Sequence, residues 1–171
     1  MHDLHGHGES MRTIDKDHLF DIIAIQQMLY DYCHELDAGA INVTDYFTED
    51  CIFVVGGSVW NGHAGLTQHY DADKQAVEEN CKDGLRTVRH GMVNERISVH
   101  DGGKATVELL FLNFSAHGHG PFVHASAPTV VADTKLELKR ATDGRWRIHE
   151  FDGKPLFFGD DPFMNTVLME M

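Results

Sequence analysis

The second half of the chain restricts the fold most. Residues 86–100, 104–117, 122–140 and 145–153 are long stretches rich in Val, Ile, Phe and Thr. Residues of those types suit extended backbone. The breaks carry turn chemistry: Asp101-Gly102-Gly103, Gly118-His119-Gly120-Pro121 and Thr142-Asp143-Gly144. Gly supplies the positive φ that short hairpin loops need. Strands linked in this way form a curved antiparallel sheet. An open sheet leaves a face that needs cover, so self-association as a homodimer or homotrimer is expected.

The first half reads differently. From Asp17, an N-cap residue type, Leu19, Ile22, Ile23, Gln26, Leu29, Tyr30, Cys33, Leu36 and Asp37 recur at spacings of three and four. That is the stripe of an amphipathic helix, and Gly39 is placed to end it. A short second helix holds Tyr46 and Phe47. Thr48-Glu49-Asp50 leads into a strand over 51–55, Gly56-Gly57 breaks it, and Val59-Trp60 resumes it. A third helix runs over 64–80. Helices first and long strands after predict an α+β fold and not a doubly wound one.

A chain of 171 residues is one domain. Its body is 17–153. Residues 1–16, with His2, His5 and His7, read as a flexible tail. Residues 154–171 carry Phe157, Phe158, Phe163, Leu168, Met169 and Met171. This apolar extension is expected to cap a pocket mouth or to pack on a neighbouring subunit.

The net charge of −13, from 14 Lys+Arg against 27 Asp+Glu, excludes a basic face. Neither nucleic acid nor an anionic membrane surface is an expected partner. Cys33, Cys51 and Cys81 are odd in number and fit neither a zinc site nor a disulfide framework. They read as reduced thiols of a cytoplasmic protein. No apolar run reaches signal-peptide or transmembrane length.

Five stretches, in order, resemble one fold family. They are Tyr32-Cys33-His34-Glu35-Leu36-Asp37-Ala38-Gly39, Tyr46-Phe47-Thr48-Glu49-Asp50-Cys51, Trp60-Asn61-Gly62, Arg89-His90-Gly91-Met92-Val93-Asn94 and Asp143-Gly144-Arg145-Trp146-Arg147-Ile148. Together they resemble the SnoaL-like branch of the nuclear-transport-factor-2-like superfamily. The resemblance implies a cone-shaped α+β fold (cystatin-like), a curved mixed or antiparallel sheet wrapped around helices. It also implies an internal pocket built around Asp37 and His90.

That superfamily includes scytalone dehydratase, bile-acid 7α-dehydratase, a dehydrochlorinase, ketosteroid isomerase, limonene epoxide hydrolase and lignin-dimer formaldehyde lyases. It also includes small subunits of ring-hydroxylating dioxygenases and plain binding domains, so the residues must decide function. In its dehydratase branch, the resemblance implies that Asp37 pairs with His90. A neutral imidazole removes a proton while the carboxylate fixes its tautomer and stabilises the imidazolium. Tyr30 lies seven residues before Asp37 and shares its helix face. Tyr32 is rotated off that face, yet matches a substrate-polarising Tyr of the bile-acid enzyme. Either hydroxyl could bind a substrate oxygen.

On the strand over 104–117, Val107, Leu109, Phe111, Asn113 and Ser115 share one face. A dehydratase relative has a carboxylate where Asn113 stands, so one acid–base candidate is missing. His117 and His119 are expected at the pocket mouth, where either could act as a second acid. His124 and His149 are further candidates. No metal and no cofactor is expected, since no carboxylate stands at ligand spacing from the histidines and the family's enzymes use no metal. Arg89 should point to the strand's opposite face.

The expected function is a cofactor-independent lyase for a hydroxylated aromatic or polycyclic molecule, releasing water or formaldehyde. Tyr32 joins His90 and Asp37, with Asn113, Tyr30, Trp60, Phe111, Phe47, His117, His119 and Phe151 binding substrate. Two alternatives stand beside it. One is an isomerase or epoxide hydrolase with Asp37 as base. The other is a non-catalytic binding domain or dioxygenase small subunit.

Overall fold

In the computed structural model, residues 14–123 and 127–159 are described. α1 spans Leu19–Asp37 and α2 spans Gly62–Asn80. The strands are β1 (Phe47–Val55), β2 (Ser58–Asn61), β3 (Arg86–His100), β4 (Lys104–His117), β5 (Val130–Arg140) and β6 (Trp146–Phe158). They form one mixed sheet in the order β2-β1-β6-β5-β4-β3. β1 and β6 run parallel and the other neighbours antiparallel. This is the expected α+β fold, with α1 against β3 and α2 against β1 and β2.

Several boundaries differ from expectation. The N-cap is Asp15, whose carboxylate accepts from Asp17 N–H ahead of a 3₁₀ turn at Lys16–His18. Tyr46 ends a second 3₁₀ turn, and Phe47 already belongs to β1. β5 starts at Val130 because Pro121 and Pro128 lack the N–H that a ladder requires. β6 runs on to Phe158, past the expected strand end at 153, so residues 154–158 continue the sheet. His2, His5, His7, His124, Phe163, Leu168, Met169 and Met171 lie outside the described residues.

The core lies between the helices and the concave sheet face. Ile25, Leu29, Tyr32, Cys33 and Leu36 of α1 are buried. They recur at i, i+4, i+7, i+8 and i+11, so Tyr32 is near the centre of the stripe and Asp37 at its edge. Against them lie Val107, Leu109, Leu136, Leu138, Ile148 and Phe151. β3 shifts register between Val93 and Arg96, where Asn94 takes a φ of +59°. This bulge hands the inner face from Met92 to Ile97 and Val99, both of which pack on the core side. Among the described residues, no helix is long and apolar enough to cross a membrane.

Candidate functional site

Two elements meet at one carboxylate. α1 ends at Asp37, where Gly39 takes a φ of +106° and its N–H closes on Leu36 O at 3.1 Å. Asp37 Oδ1 accepts from the backbone N–H of His90 at 2.9 Å and contacts its ring Nδ1 at 3.0 Å. The side chains of His90 and Asp37 are only 12% and 16% exposed. The backbone bond fixes the carboxylate against β3. In a neutral imidazole, such a carboxylate contact favours the tautomer with the proton on Nδ1 and the lone pair on Nε2. Among the described residues, Nε2 has no hydrogen-bond partner.

Arg89 is exposed, as strand parity requires. Its Nε nevertheless lies 3.8 Å from Asp37 Oδ2. With the Arg89 side chain 67% exposed, that pairing is weak.

Asn113 faces His90 across the β3–β4 ladder and is 4% exposed. Its backbone carbonyl accepts from Thr129 N–H at 2.7 Å and from Thr129 Oγ1 at 3.0 Å. The strand is thereby fixed, yet among the described residues Asn113 Oδ1 has no partner. An unpaired buried acceptor costs about 1–3 kcal/mol.

Aromatic rings line the way inward from His90. Phe111 lies 5.4 Å from the imidazole and Phe151 6.0 Å from Phe111. Phe53 follows at 4.9 Å, and Tyr70 at 6.0 Å from Phe53. There a second polar group appears: the hydroxyls of Tyr32 and Tyr70 are 2.9 Å apart. Burial pushes both phenols above their ordinary range, so both stay protonated at neutral pH. His69 is boxed by Trp60 at 4.4 Å, Phe53 at 5.1 Å and Tyr70 at 5.0 Å. Burial lowers its pKa, partly opposed by Asp73.

The remaining candidates are distributed unevenly. Tyr30 is 44% exposed, on the helix flank beyond the buried stripe. Tyr32 lies off the Asp37 face, as helical spacing requires, and is 1% exposed as part of the core. Phe47 is equally buried and meets Tyr32 edge-on at 5.5 Å. His117 and His119 are exposed at the end of β4 and in the loop after it. His149 Nδ1 pairs with Thr48 Oγ1 at 3.1 Å and lies 3.4 Å from Asp50. Cys33, Cys51 and Cys81 are all buried, and burial pushes the Cys33 thiol up to about 12.

Sequence reasoning missed Tyr70 and His69. A signal existed, because Leu66, His69, Tyr70, Asp73 and Val77 fall on one helical face. Among the described residues, no three His, Cys, Asp or Glu side chains converge as a metal-ligand set. Two open hollows, of about 450 and 320 Å³, lie on the sheet's outer face and beside the start of α1, and neither is lined by Asp37 or His90.

Residues 17–152 match the SnoaL-like domain family, and the chain belongs to it. The family includes enzymes such as dehydratases and isomerases. No curated protein matches the sequence. Solved structures share the fold at low identity. A protein provisionally named a scytalone dehydratase, from Novosphingobium aromaticivorans DSM 12444, is 16% identical with a TM-score of 0.64, covering 84% of this chain and 89% of the other. Aln2 from a Streptomyces species is 15% identical, with a TM-score of 0.68 and coverage of 90% and 97%. The beta subunit of the benzoate 1,2-dioxygenase from Burkholderia mallei ATCC 23344 is 18% identical, with a TM-score of 0.64 and coverage of 85% and 93%. At these identities the likeness defines the fold alone.

Proposed function

We propose that this SnoaL-like protein is a cofactor-independent acid–base lyase. The reading rests above all on the contact of 3.0 Å between His90 Nδ1 and Asp37 Oδ1, which leaves Nε2 bare on a nearly dry face. His90 removes a proton from a hydroxylated aromatic or polycyclic substrate, and Asp37 stabilises the imidazolium. Water or formaldehyde then leaves. Asn113 supports the reading, because its unpaired Oδ1 suits a substrate hydroxyl. So do the aromatic walls, which match a flat apolar ligand with few polar anchors. Asp37 is the poorer base, since Oδ1 already accepts from His90 and Oδ2 faces Arg89.

The test is a screen of hydroxylated aromatic ketones, with the products read by mass for loss of water or formaldehyde. Turnover by wild type that persists undiminished in His90→Ala contradicts the mechanism. Normal His90→Ala turnover combined with a dead Asp37→Asn protein selects the isomerase-like alternative. Self-association belongs to the same proposal. Phe20 and Ile23 on α1 are 88% and 60% exposed, and with Tyr30 they make an apolar stripe. Sedimentation should give a dimer or trimer that Phe20→Glu dissociates.

A further inference from the structure

β3 has to turn two sets of side chains toward the same interior. His90 and Met92 face inward at even positions, while Ile97 and Val99 pack inward at odd ones. Side chains of a regular strand alternate between faces, so a regular strand cannot do both. The β3–β4 ladder resolves the conflict. Val93 pairs with Leu110 and Arg96 with Glu108, which leaves Asn94 and Glu95 opposite Leu109 alone. Asn94 takes the left-handed φ of +59° at this bulge. Gly and Asn enter that region readily, whereas most other side chains resist it.

The ladder also identifies the half of β3 that the bulge reorients. The Asp101-Gly102-Gly103 turn holds His100 opposite Lys104, and with it the pairing back to Arg96. Continued without a bulge from Arg96 and Glu108, the ladder would set Gly91 opposite Asn113 and His90 opposite Phe114. The imidazole would then lie on the outer face. The His90 backbone N–H would point at β4, in place of its present bond to Asp37 Oδ1. We infer that Asn94 is a positioning residue: its left-handed backbone makes the bulge that delivers His90 to the inner face and to Asp37. Asn94 is itself exposed, so the demand falls on its backbone and not on core packing. The stretch from Arg89 to Asn94 thus carries both the imidazole and the device that aims it. A catalytic consequence rests on His90 acting as the base; the aiming of the ring does not.

NMR of the nitrogen-labelled full chain tests this through the His90 ring nitrogens and the His90 backbone amide. Asn94→Gly keeps the left-handed backbone, so the ring signals should stay as in wild type and amide exchange within about twofold. Asn94→Val places a β-branched residue at positive φ. Exchange of the His90 amide should then rise at least about 10-fold, the scale of left-handed strain, and the ring signals should move. Asn94→Ala keeps the strain without the branch. It should move the same signals less, and it carries the test if Asn94→Val does not fold. Unchanged His90 signals in a folded Asn94→Val or Asn94→Ala protein overturn the assignment, even where the melting temperature falls, since Asn94 would then be structural only. Altered His90 signals in Asn94→Gly overturn it as well. On a substrate that the wild type turns over, kcat should follow the ring signals, with Asn94→Gly near wild type. Normal turnover by a variant whose ring signals have moved contradicts the base and upholds the positioning.

Discussion

The two faces of the sheet invite opposite conclusions from size and from chemistry. The outer face carries the larger hollow, about 450 Å³, lined by Arg96, Glu108, Asp133, Lys135, Asp152 and Lys154. Its charges answer one another: Arg96 with Glu108 at 3.6 Å, Lys135 with Glu137 at 2.7 Å, and Lys154 with Asp152 at 3.0 Å. Paired, solvated charges of this kind contribute little and ask for nothing. On the inner face, among the described residues, His90 Nε2 and Asn113 Oδ1 are without partners. Unmet polar capacity in an apolar surround identifies a site better than volume does.

The sharpest way to break that contrast is at His90. On a substrate that the wild type turns over, His90→Ala should lower kcat/KM by about 10²–10⁴-fold, the range of a positioned general base. Lys135→Ala on the outer face should leave it unchanged.

Adjacent positions on β5 test the same contrast by stability. Leu136 is fully buried on the inner face, while the Lys135 side chain is 56% exposed. Leu136→Ala should destabilise by about 2–5 kcal/mol in urea melts. Lys135→Ala should stay within about 0.5 kcal/mol.

Asn113→Leu separates fold from function on the inner face. Removing the carboxamide with its unpartnered Oδ1 should leave the free protein as stable as before, or more stable by about 1 kcal/mol. The same change should weaken ligand binding. A large loss of stability instead would mean that Asn113 is structural.

The smallest expected effect concerns pH. Burial holds the folded His69 pKa below the ordinary histidine value of 6.5. The unfolded chain therefore takes up a proton first as pH falls, so this residue's contribution is present above pH 6.5 and declines below it. His69→Phe should flatten that acid-side decline in melts between about pH 7 and 5.

Most of the fold was legible because local chemistry set it. The turn glycines bounded β3 and β4 at both ends, and five ordered stretches pointed to the family. The pairing of Asp37 with His90 came from the resemblance to the family; local chemistry alone placed only a helix end and a long strand. Tyr30 and Tyr32 were harder to separate. Helical geometry alone puts Tyr30 beside Asp37, but Asp37 is held at the edge of the buried stripe by His90 on β3, while Tyr30 remains 44% exposed. Tyr70 and His69 escaped because α2 is polar over most of its surface. Only docking against β1 turns their face inward.

The central claim is that Asp37 fixes His90 with its lone pair on Nε2, facing the interior. Nitrogen-detected NMR of the labelled imidazole measures this without a substrate. The neutral ring should carry its proton on Nδ1, and Asp37→Asn should redistribute it between the two nitrogens. A proton resident on Nε2 in the wild type, or a tautomer indifferent to Asp37→Asn, would contradict the account.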